Sequence, residues 1–334
     1  MSDTLQRILT GDALSAADAE AAFDRFMKGD ASPVEMAALL SVLKVRGESP
    51  TEIVGGVRAL RKAMVPLELG TDRLVDTCGT GGGTLTTFNI STASSIVAAG
   101  AGVKIAKHGN RSFTSKCGSA DVLEALGIPI QLNLSEQKRM FAKAGFVFMF
   151  APAHHPAMRH VGPIRGELGV TTIMNLLGPL ANPACVRRQV IGVAHKSLQR
   201  LIADALVELG HERAMVVHGA PGMDELSPLG PTTIIQLDAG RLDEIEILPA
   251  DFGWPKYAPE DLNGGEPQEN AEQVRRVITG KQLGGARAAV LINAAAAIWV
   301  SGEVQSLEEG VAAAEASIDD GKAAATLDIL QTFH

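Results

Sequence analysis

Residues 76–121 read DTCGTGGGTLTTFNISTASSIVAAGAGVKIAKHGNRSFTSKCGSAD, and this stretch predicts the central part of the fold. The apolar pair 74–75 directly precedes it and leads into a polar loop and a helix-forming segment. A second apolar run, polar loop and helix-forming segment follow, and Ser119 is expected to cap the second helix. We place the strands at 74–75 and 103–106 and the helices at 93–101 and 120–126. Two strand–loop–helix units in succession indicate a parallel sheet with both loops at the same edge.

Both loops of this stretch are suited to binding an oxyanion. The glycines in residues 79–83 let backbone N–H groups converge on a phosphate, and the helix start behind them adds unpaired donors and the positive end of its dipole. Lys107, Arg111 and Lys116 add positive charge in the second loop. The alternative interpretation is a tight turn between strand and helix. The loop has neither the GK[ST] ending of a P-loop nor the GxGxxG spacing of a dinucleotide fold.

Composition limits the classes of protein that fit the chain. Its 334 residues can bury a large core, and 46% are hydrophobic but only 4% aromatic, which favours a core of small aliphatic side chains. A net charge of −8 argues against a general nucleic-acid binder. The three cysteines have no metal-binding spacing, and neither a signal-peptide pattern nor a membrane-spanning apolar run is found. We therefore expect a cytoplasmic protein that binds neither nucleic acid nor membranes.

The first 65 or so residues are predicted to be helical. Ser32 and Ser49 each precede a proline and a glutamate at capping-box spacing. Together with the strand–loop–helix units described above, these helices predict an α/β fold class. We expect a small all-helical domain and a larger α/β domain around a central, mostly parallel sheet. We expect the helical domain at residues 1–68, completed by about 168–186, and the α/β domain at 69–167 and 187–334.

A third polar loop, GAPGMDELS at residues 219–227, follows another predicted strand. It contains the adjacent acids Asp224 and Glu225, and carboxylates at the carboxyl edge of a sheet are suitable ligands for Mg²⁺. A solvated turn is the alternative interpretation of two acids taken by themselves.

These motifs together resemble those of the anthranilate phosphoribosyltransferases, whose fold is shared with pyrimidine nucleoside phosphorylases. The resemblance lies in GTGG at 79–82, TFNIST at 87–92, AKHGNRSFTSKCGSADVLEALG at 106–127 and GMDE at 222–225, and it covers nearly the whole chain. It implies transfer of the phosphoribosyl group of 5-phosphoribosyl 1-pyrophosphate to the amine of anthranilate, with Mg²⁺ as cofactor. It also implies a homodimer formed through the helical domain.

The resemblance assigns roles to individual residues, but it assigns no catalytic acid or base, so we expect catalysis by positioning and electrostatics. Ser91, Asp224 and Glu225 are the implied metal ligands, and Gly79, His108, Asn110 and Arg165 the implied anthranilate site. The implied donor site comprises Gly79, Gly82, Gly83, Thr87, Asn89, Ile90, Ser91, Thr92, Lys107, His108, Gly109, Asn110, Arg111, Ser115 and Ser119. A structural, backbone-bonded histidine is the alternative for His108.

One residue departs from the family pattern. The family usually has GTGGD, and this chain has Gly83 in place of the aspartate. We expect Gly83→Asp to leave activity within about tenfold, roughly 1.4 kcal/mol. A pyrimidine nucleoside phosphorylase would lack the GMDE acids, and a nucleic-acid-binding relative would have a basic surface and eroded acceptor residues. This chain has the GMDE acids, and its acidic charge with Asn110 and Arg165 in place disfavours the nucleic-acid-binding relative.

Overall fold

A computed structural model describes residues 3–112 and 116–333 of the chain. Its amino-terminal part is helical, as predicted. The helices there are α1 (Asp3–Leu9), α2 (Ala16–Lys28), α3 (Pro33–Arg46) and α4 (Pro50–Ala63). Ser49 forms the full capping box with Glu52 at the start of α4. At the start of α3, Ser32 Oγ accepts a hydrogen bond from Glu35 N–H, and the Glu35 carboxylate pairs with Arg25.

A seven-stranded sheet forms the centre of the α/β part. Its strands are β1 (Leu74–Gly79), β2 (Lys104–Gly109), β3 (Phe146–Phe150), β4 (Arg188–Gly192), β5 (Arg213–Gly219), β6 (Thr232–Asp238) and β7 (Arg241–Ile247). The spatial order is β3-β2-β1-β4-β5-β6-β7. The first five strands in this order run parallel, while β6 and β7 form an antiparallel hairpin at one edge. The predicted mostly parallel sheet is confirmed.

Helices cover both faces of the sheet. They are α5 (Ile90–Gly100), α6 (Ser119–Ala125), α7 (Leu134–Ala144), α8 (Ala151–His154), α9 (Gly162–Leu168), α10 (Ile173–Leu180), α11 (Ser197–Glu208), α12 (Pro267–Ile278), α13 (Gly285–Ser301), α14 (Leu307–Asp319) and α15 (Lys322–Gln331). Short 3₁₀ turns occur at Pro156–Arg159, Pro249–Phe252 and Pro259–Leu262. In the part of the chain that the structure describes, no helix is both long and apolar enough to cross a membrane.

The alternation of side chains along the strands separates two hydrophobic cores. On β5, Met215 and Val217 belong to the core that contains α5 and α13, whereas Ala214 and Val216 belong to the core that contains α2 to α4, α10 and α11. Successive strand residues point to opposite faces, and both faces are buried here, so β5 is apolar throughout its middle. The helical part of the chain is thereby packed onto one face of the sheet.

The predicted cap of α6 is wrong by one residue. Gly118 precedes the helix, and Ser119 is its first residue. A side chain on Gly118 would meet the backbone of the preceding loop, since its Cβ would lie 2.4 Å from Ser112 N. The Asp121 carboxylate caps the helix instead, because it accepts hydrogen bonds from the N–H groups of Gly118 (2.8 Å) and Ser112 (3.2 Å).

Candidate active site

The carboxyl ends of the parallel strands surround a cleft of about 560 Å³. This volume lies in the usual range for a small-molecule site. The residues predicted from sequence that line it are Gly79, Gly82, Gly83, Thr87, Asn89, Ser91, Thr92, Lys107, His108, Gly109, Asn110, Arg111, Ser119, Arg165, Asp224 and Glu225. Ile90 is fully buried in the core and does not line the cleft. Ser115 lies outside the described residues.

The glycine loop after β1 is held by the ends of two neighbouring strands. Thr80 N–H donates to Gly192 O at the end of β4, and Thr84 N–H donates to Gly222 O in the loop after β5. Gly81 and Gly82 have positive φ angles of 71° and 84°, which glycine adopts readily. Within the described residues the N–H groups of Gly82 and Gly83 form no hydrogen bond, so they remain available to an anion in the cleft.

The two acids of the GMDE segment are attached to this loop and to the start of α5. Asp224 Oδ2 accepts a hydrogen bond from Gly81 N–H (3.0 Å), and Glu225 Oε1 accepts one from Ser91 N–H (3.0 Å). Burial raises the pKa of Asp224, and burial together with the charge of Asp224 raises the pKa of Glu225 well above its usual value. A cation bound between the two carboxylates would offset both effects.

Lys107 and Ser91 complete the inner wall of the cleft. The Lys107 ammonium is buried, and it donates to Ser91 Oγ (2.8 Å) and Thr77 O (2.5 Å). Burial lowers its pKa, and the nearby Asp76 carboxylate opposes that shift. No group of three or more histidine, cysteine, aspartate or glutamate side chains suited to a metal occurs among residues 3–112 and 116–333. A metal site here would therefore combine the two acids with the Ser91 hydroxyl.

The second loop carries less free positive charge than the sequence suggests. Arg111 is paired with Asp121 (2.8 Å) and Glu124 (2.5 Å) of α6, and both acids raise its pKa. Lys116 is exposed and lies 3.7 Å from Glu266. Lys107 is thus the buried cation of the cleft, while Arg111 has carboxylate partners on the protein.

Arg165, Asn110 and His108 also line the cleft. Arg165 is half-buried, burial lowers its pKa, and its guanidinium forms no hydrogen bond or ion pair with any residue that the structure describes. The His108 ring is buried against His155, with ring centroids 5.0 Å apart, and its Nε2 atom has no partner among the described residues. Burial lowers the pKa of His108 well below 6.5, and the neighbouring His155 lowers it further. His108 is therefore a neutral imidazole at pH 7.

Three residues that support the cleft were missed by the sequence analysis. Asn270 donates to Asn89 Oδ1 (2.9 Å) and so orients the Asn89 amide, which donates to Cys117 O. Gly192 lies directly below Asp224, and a Cβ atom at this position would be 1.5 Å from Asp224 O. Asn293 contacts the backbone beside Glu225. No local pattern indicates these roles, because each depends on a contact between distant parts of the chain.

Family models match most of the chain. Residues 71–324 match the glycosyl transferase family a/b domain, and residues 2–64 match the helical bundle domain of the same family. A curated anthranilate phosphoribosyltransferase of Rubrobacter xylanophilus is 50% identical over 98% of this chain and 95% of its own length. Another, from Xanthobacter autotrophicus, is 48% identical over 98% of this chain and 94% of its own length.

Solved structures of similar proteins have the same architecture. The anthranilate phosphoribosyltransferase of Thermus thermophilus superimposes with a TM-score of 0.94 at 40% identity, covering 99% of both chains. The Saccharomyces cerevisiae enzyme, solved in complex with PRPP and Mg, gives a TM-score of 0.88 at 29% identity, covering 98% of this chain and 95% of its own. The similarity therefore includes the helical part, the sheet and the cleft between their loops.

Proposed function

The chain belongs to the anthranilate phosphoribosyltransferase family, and from this premise we propose how its cleft performs the family reaction. The enzyme transfers the phosphoribosyl group of 5-phosphoribosyl 1-pyrophosphate to the amine of anthranilate. The products are N-(5-phosphoribosyl)anthranilate and pyrophosphate, and the reaction is a step of tryptophan biosynthesis. We assign residues of this chain to each substrate, to the metal ion and to the contact between subunits.

The proposed donor site rests on one observation, the hydrogen bonds that join the acid pair to the glycine loop and to the start of α5. Asp224 is bonded to Gly81 and Glu225 to Ser91, and both acids line the same cleft as Gly82 and Gly83, whose N–H groups form no hydrogen bond within the described residues. A pyrophosphate needs both kinds of group, because N–H donors bind its oxygens directly and a divalent cation neutralises its charge. We therefore assign the pyrophosphate of the donor to this end of the cleft.

The residues present fit a magnesium ion. Two adjacent carboxylates with raised pKa values and a serine hydroxyl form a hard oxygen donor set, which Mg²⁺ prefers. Asp224, Glu225 and Ser91 would hold the ion, and when bound it supplies charge neutralisation for the departing pyrophosphate. Lys107 donates a hydrogen bond to the Ser91 hydroxyl (2.8 Å) and so holds it in place.

The acceptor is assigned to the end of the cleft that contains Arg165. Its half-buried guanidinium has no partner among the described residues and is suited to a bidentate bond with the anthranilate carboxylate. Asn110 and the neutral ring of His108 line the same cleft. The amine of anthranilate is neutral at pH 7 with its lone pair available, so it attacks the ribose carbon without a strong base. Positioning of the two substrates then supplies most of the rate enhancement.

We further propose a homodimer formed through the helical part of the chain. Val34 and Val45 of α3 are 79% and 89% exposed, and Leu9 of α1 is 57% exposed. The two valines are eleven positions apart, about three helical turns, so they lie on one face of α3. Light scattering should give the mass of a dimer, and Val34→Glu/Val45→Glu should shift it towards the monomer. A wild-type monomer at micromolar concentration would contradict this assignment.

A fluorescence assay of anthranilate consumption tests the reaction and the metal pair together. We expect consumption with 5-phosphoribosyl 1-pyrophosphate and Mg²⁺, and its loss in Asp224→Asn/Glu225→Gln. Asp243→Asn/Glu244→Gln is the matched control, because it changes the same residue types at exposed positions of the edge strand β7. Absence of consumption by the folded wild-type protein would reject the proposed reaction, and equal losses in both double variants would reject the metal assignment.

A further inference from the structure

The side-chain amide of Asn293 on α13 binds both backbone groups of Leu226. Asn293 Oδ1 accepts from Leu226 N–H (3.0 Å), and Asn293 Nδ2 donates to Leu226 O (2.8 Å). The same Nδ2 also donates to Ala289 O one turn earlier in α13 (2.9 Å). Asn293 is 6% exposed and Leu226 is fully buried, so water does not compete freely for these bonds.

The chemistry of the surrounding groups fixes the orientation of this amide. Nδ2 faces two carbonyl oxygens, and Oδ1 faces one N–H group. A flipped amide would place its oxygen against the oxygens of Leu226 and Ala289 and lose all three hydrogen bonds. The contact therefore has one arrangement, and it attaches the loop after β5 to a helix that is buried along its length.

The Asn293 contact holds the middle of the loop after β5, which the loop's own hydrogen bonds do not reach. Gly219 and Met223 exchange two backbone hydrogen bonds at the beginning of the loop. Ser227 bonds to Ala220 O and Thr232 Oγ1 at its end. Between these two points lie the acids, and Leu226 directly follows Glu225.

We propose that Asn293 is a positioning residue for the metal site, acting through the Leu226 backbone to hold Glu225 in place. The inference rests on the proposed function, in which Glu225 is a metal ligand. Removal of the amide leaves a buried N–H and a buried C=O without partners, which is costly enough to shift the loop. Residues that orient metal ligands typically contribute about 10- to 100-fold in affinity. Asn293 is itself among the residues that line the cleft. Within the described part of the chain its amide hydrogen-bonds to Leu226 and Ala289 and to no residue assigned to the anthranilate site.

Binding of Mn²⁺ in the presence of 5-phosphoribosyl 1-pyrophosphate, followed by electron paramagnetic resonance, tests this inference without relying on turnover. The variant is Asn293→Ala, which suits the alanine-rich helix α13. The matched control is Gln199→Ala, since Gln199 is also a buried helical amide that binds backbone oxygens, those of Val216 and Thr233 (both 2.8 Å). Gln199 does not line the cleft. Urea unfolding reports the stability of each variant, and Asn293→Ser replaces Asn293→Ala if that variant does not fold.

We expect Asn293→Ala to weaken Mn²⁺ binding about tenfold or more, with the KM for anthranilate within twofold of wild type. Gln199→Ala should lose stability and keep the wild-type affinity for Mn²⁺. Unchanged Mn²⁺ affinity in Asn293→Ala would overturn the inference, and so would equal weakening in both variants, because that result indicates general loosening of the fold. A wild-type protein that binds no Mn²⁺ would instead reject the metal assignment on which the inference rests.

Discussion

The carboxylate of Asp224 fills the space beside Gly79 where a side chain would lie. A Cβ atom on Gly79 would be 2.4 Å from Asp224 Oδ2, which is far shorter than a van der Waals contact. The two residues are 145 positions apart in the chain, by the difference of their numbers. The absence of a side chain at Gly79 thus sets the place of a proposed metal ligand.

Replacement of Gly79 by alanine should move the Asp224 carboxylate and leave the fold intact. Gly79 has an ordinary backbone conformation, so the effect is steric and does not arise from a strained φ angle. We expect apparent Mg²⁺ affinity to fall about 10- to 100-fold, as for other changes that displace a metal ligand. Activity measured against Mg²⁺ concentration checks this. Gly162→Ala is the control, because its new Cβ would meet no described atom within 4 Å beyond its chain neighbours and its own helix backbone, and it should keep the wild-type curve.

Gly83→Asp restores the residue usual in the family and should change activity by no more than about tenfold, roughly 1.4 kcal/mol. The added Cβ would lie 3.2 Å from Asp224 Oδ1 and 3.3 Å from Gly222 O, so small shifts accommodate it. The new carboxylate repels Asp224, and a bound cation offsets that repulsion. Measurement of kcat and KM for the donor checks the prediction, and Gly83→Asn separates size from charge. A larger change in either direction would show that Gly83 shapes the site of this chain.

Arg165→Gln should weaken the use of anthranilate selectively. The guanidinium has no partner among the described residues, so a bound carboxylate would provide its charged hydrogen bonds. We expect the KM for anthranilate to rise about 10- to 100-fold, equivalent to roughly 1.4–2.7 kcal/mol, with the KM for the donor nearly unchanged. Arg159→Gln, at an exposed position on the neighbouring 3₁₀ turn, is the control. A parallel rise in both KM values would place Arg165 outside the anthranilate site.

The parts of the site that are continuous in sequence could be predicted, because local chemistry determines them. The glycine loop, the polar loop after β2 and the acids after β5 each follow a strand, and parallel strands bring their carboxyl ends to one edge. Their positions on that edge are confirmed. Arg111 shows the limit of this reasoning, since sequence indicates its charge but not that two acids of α6 already pair with it.

The supporting contacts could not be predicted, because they depend on packing between distant segments. Asn270 is 181 positions from Asn89, and Asn293 is 67 positions from Leu226. A buried asparagine in an apolar helix indicates that some polar partner exists, but it does not identify the partner. The role of Gly192 could not be predicted for the same reason. A side chain is excluded at Gly192 only because the backbone of Asp224 lies directly against it in the fold.

Replacement of His211 by glutamine should reduce the loss of stability in acid. His211 is buried beside Gln189, and burial lowers its pKa to about 3 from the ordinary 6.5. Between these values the unfolded chain binds a proton that the native protein does not, so the free energy of unfolding falls as pH decreases, by up to about 1.4 kcal/mol per pH unit. Glutamine can still donate to Gln189 Oε1 but does not titrate, so urea unfolding of His211→Gln between pH 7 and about pH 4 should show a shallower slope. The exposed replacement His195→Gln should keep the wild-type slope, and a His211→Gln slope equal to wild type would show that His211 does not contribute to acid sensitivity.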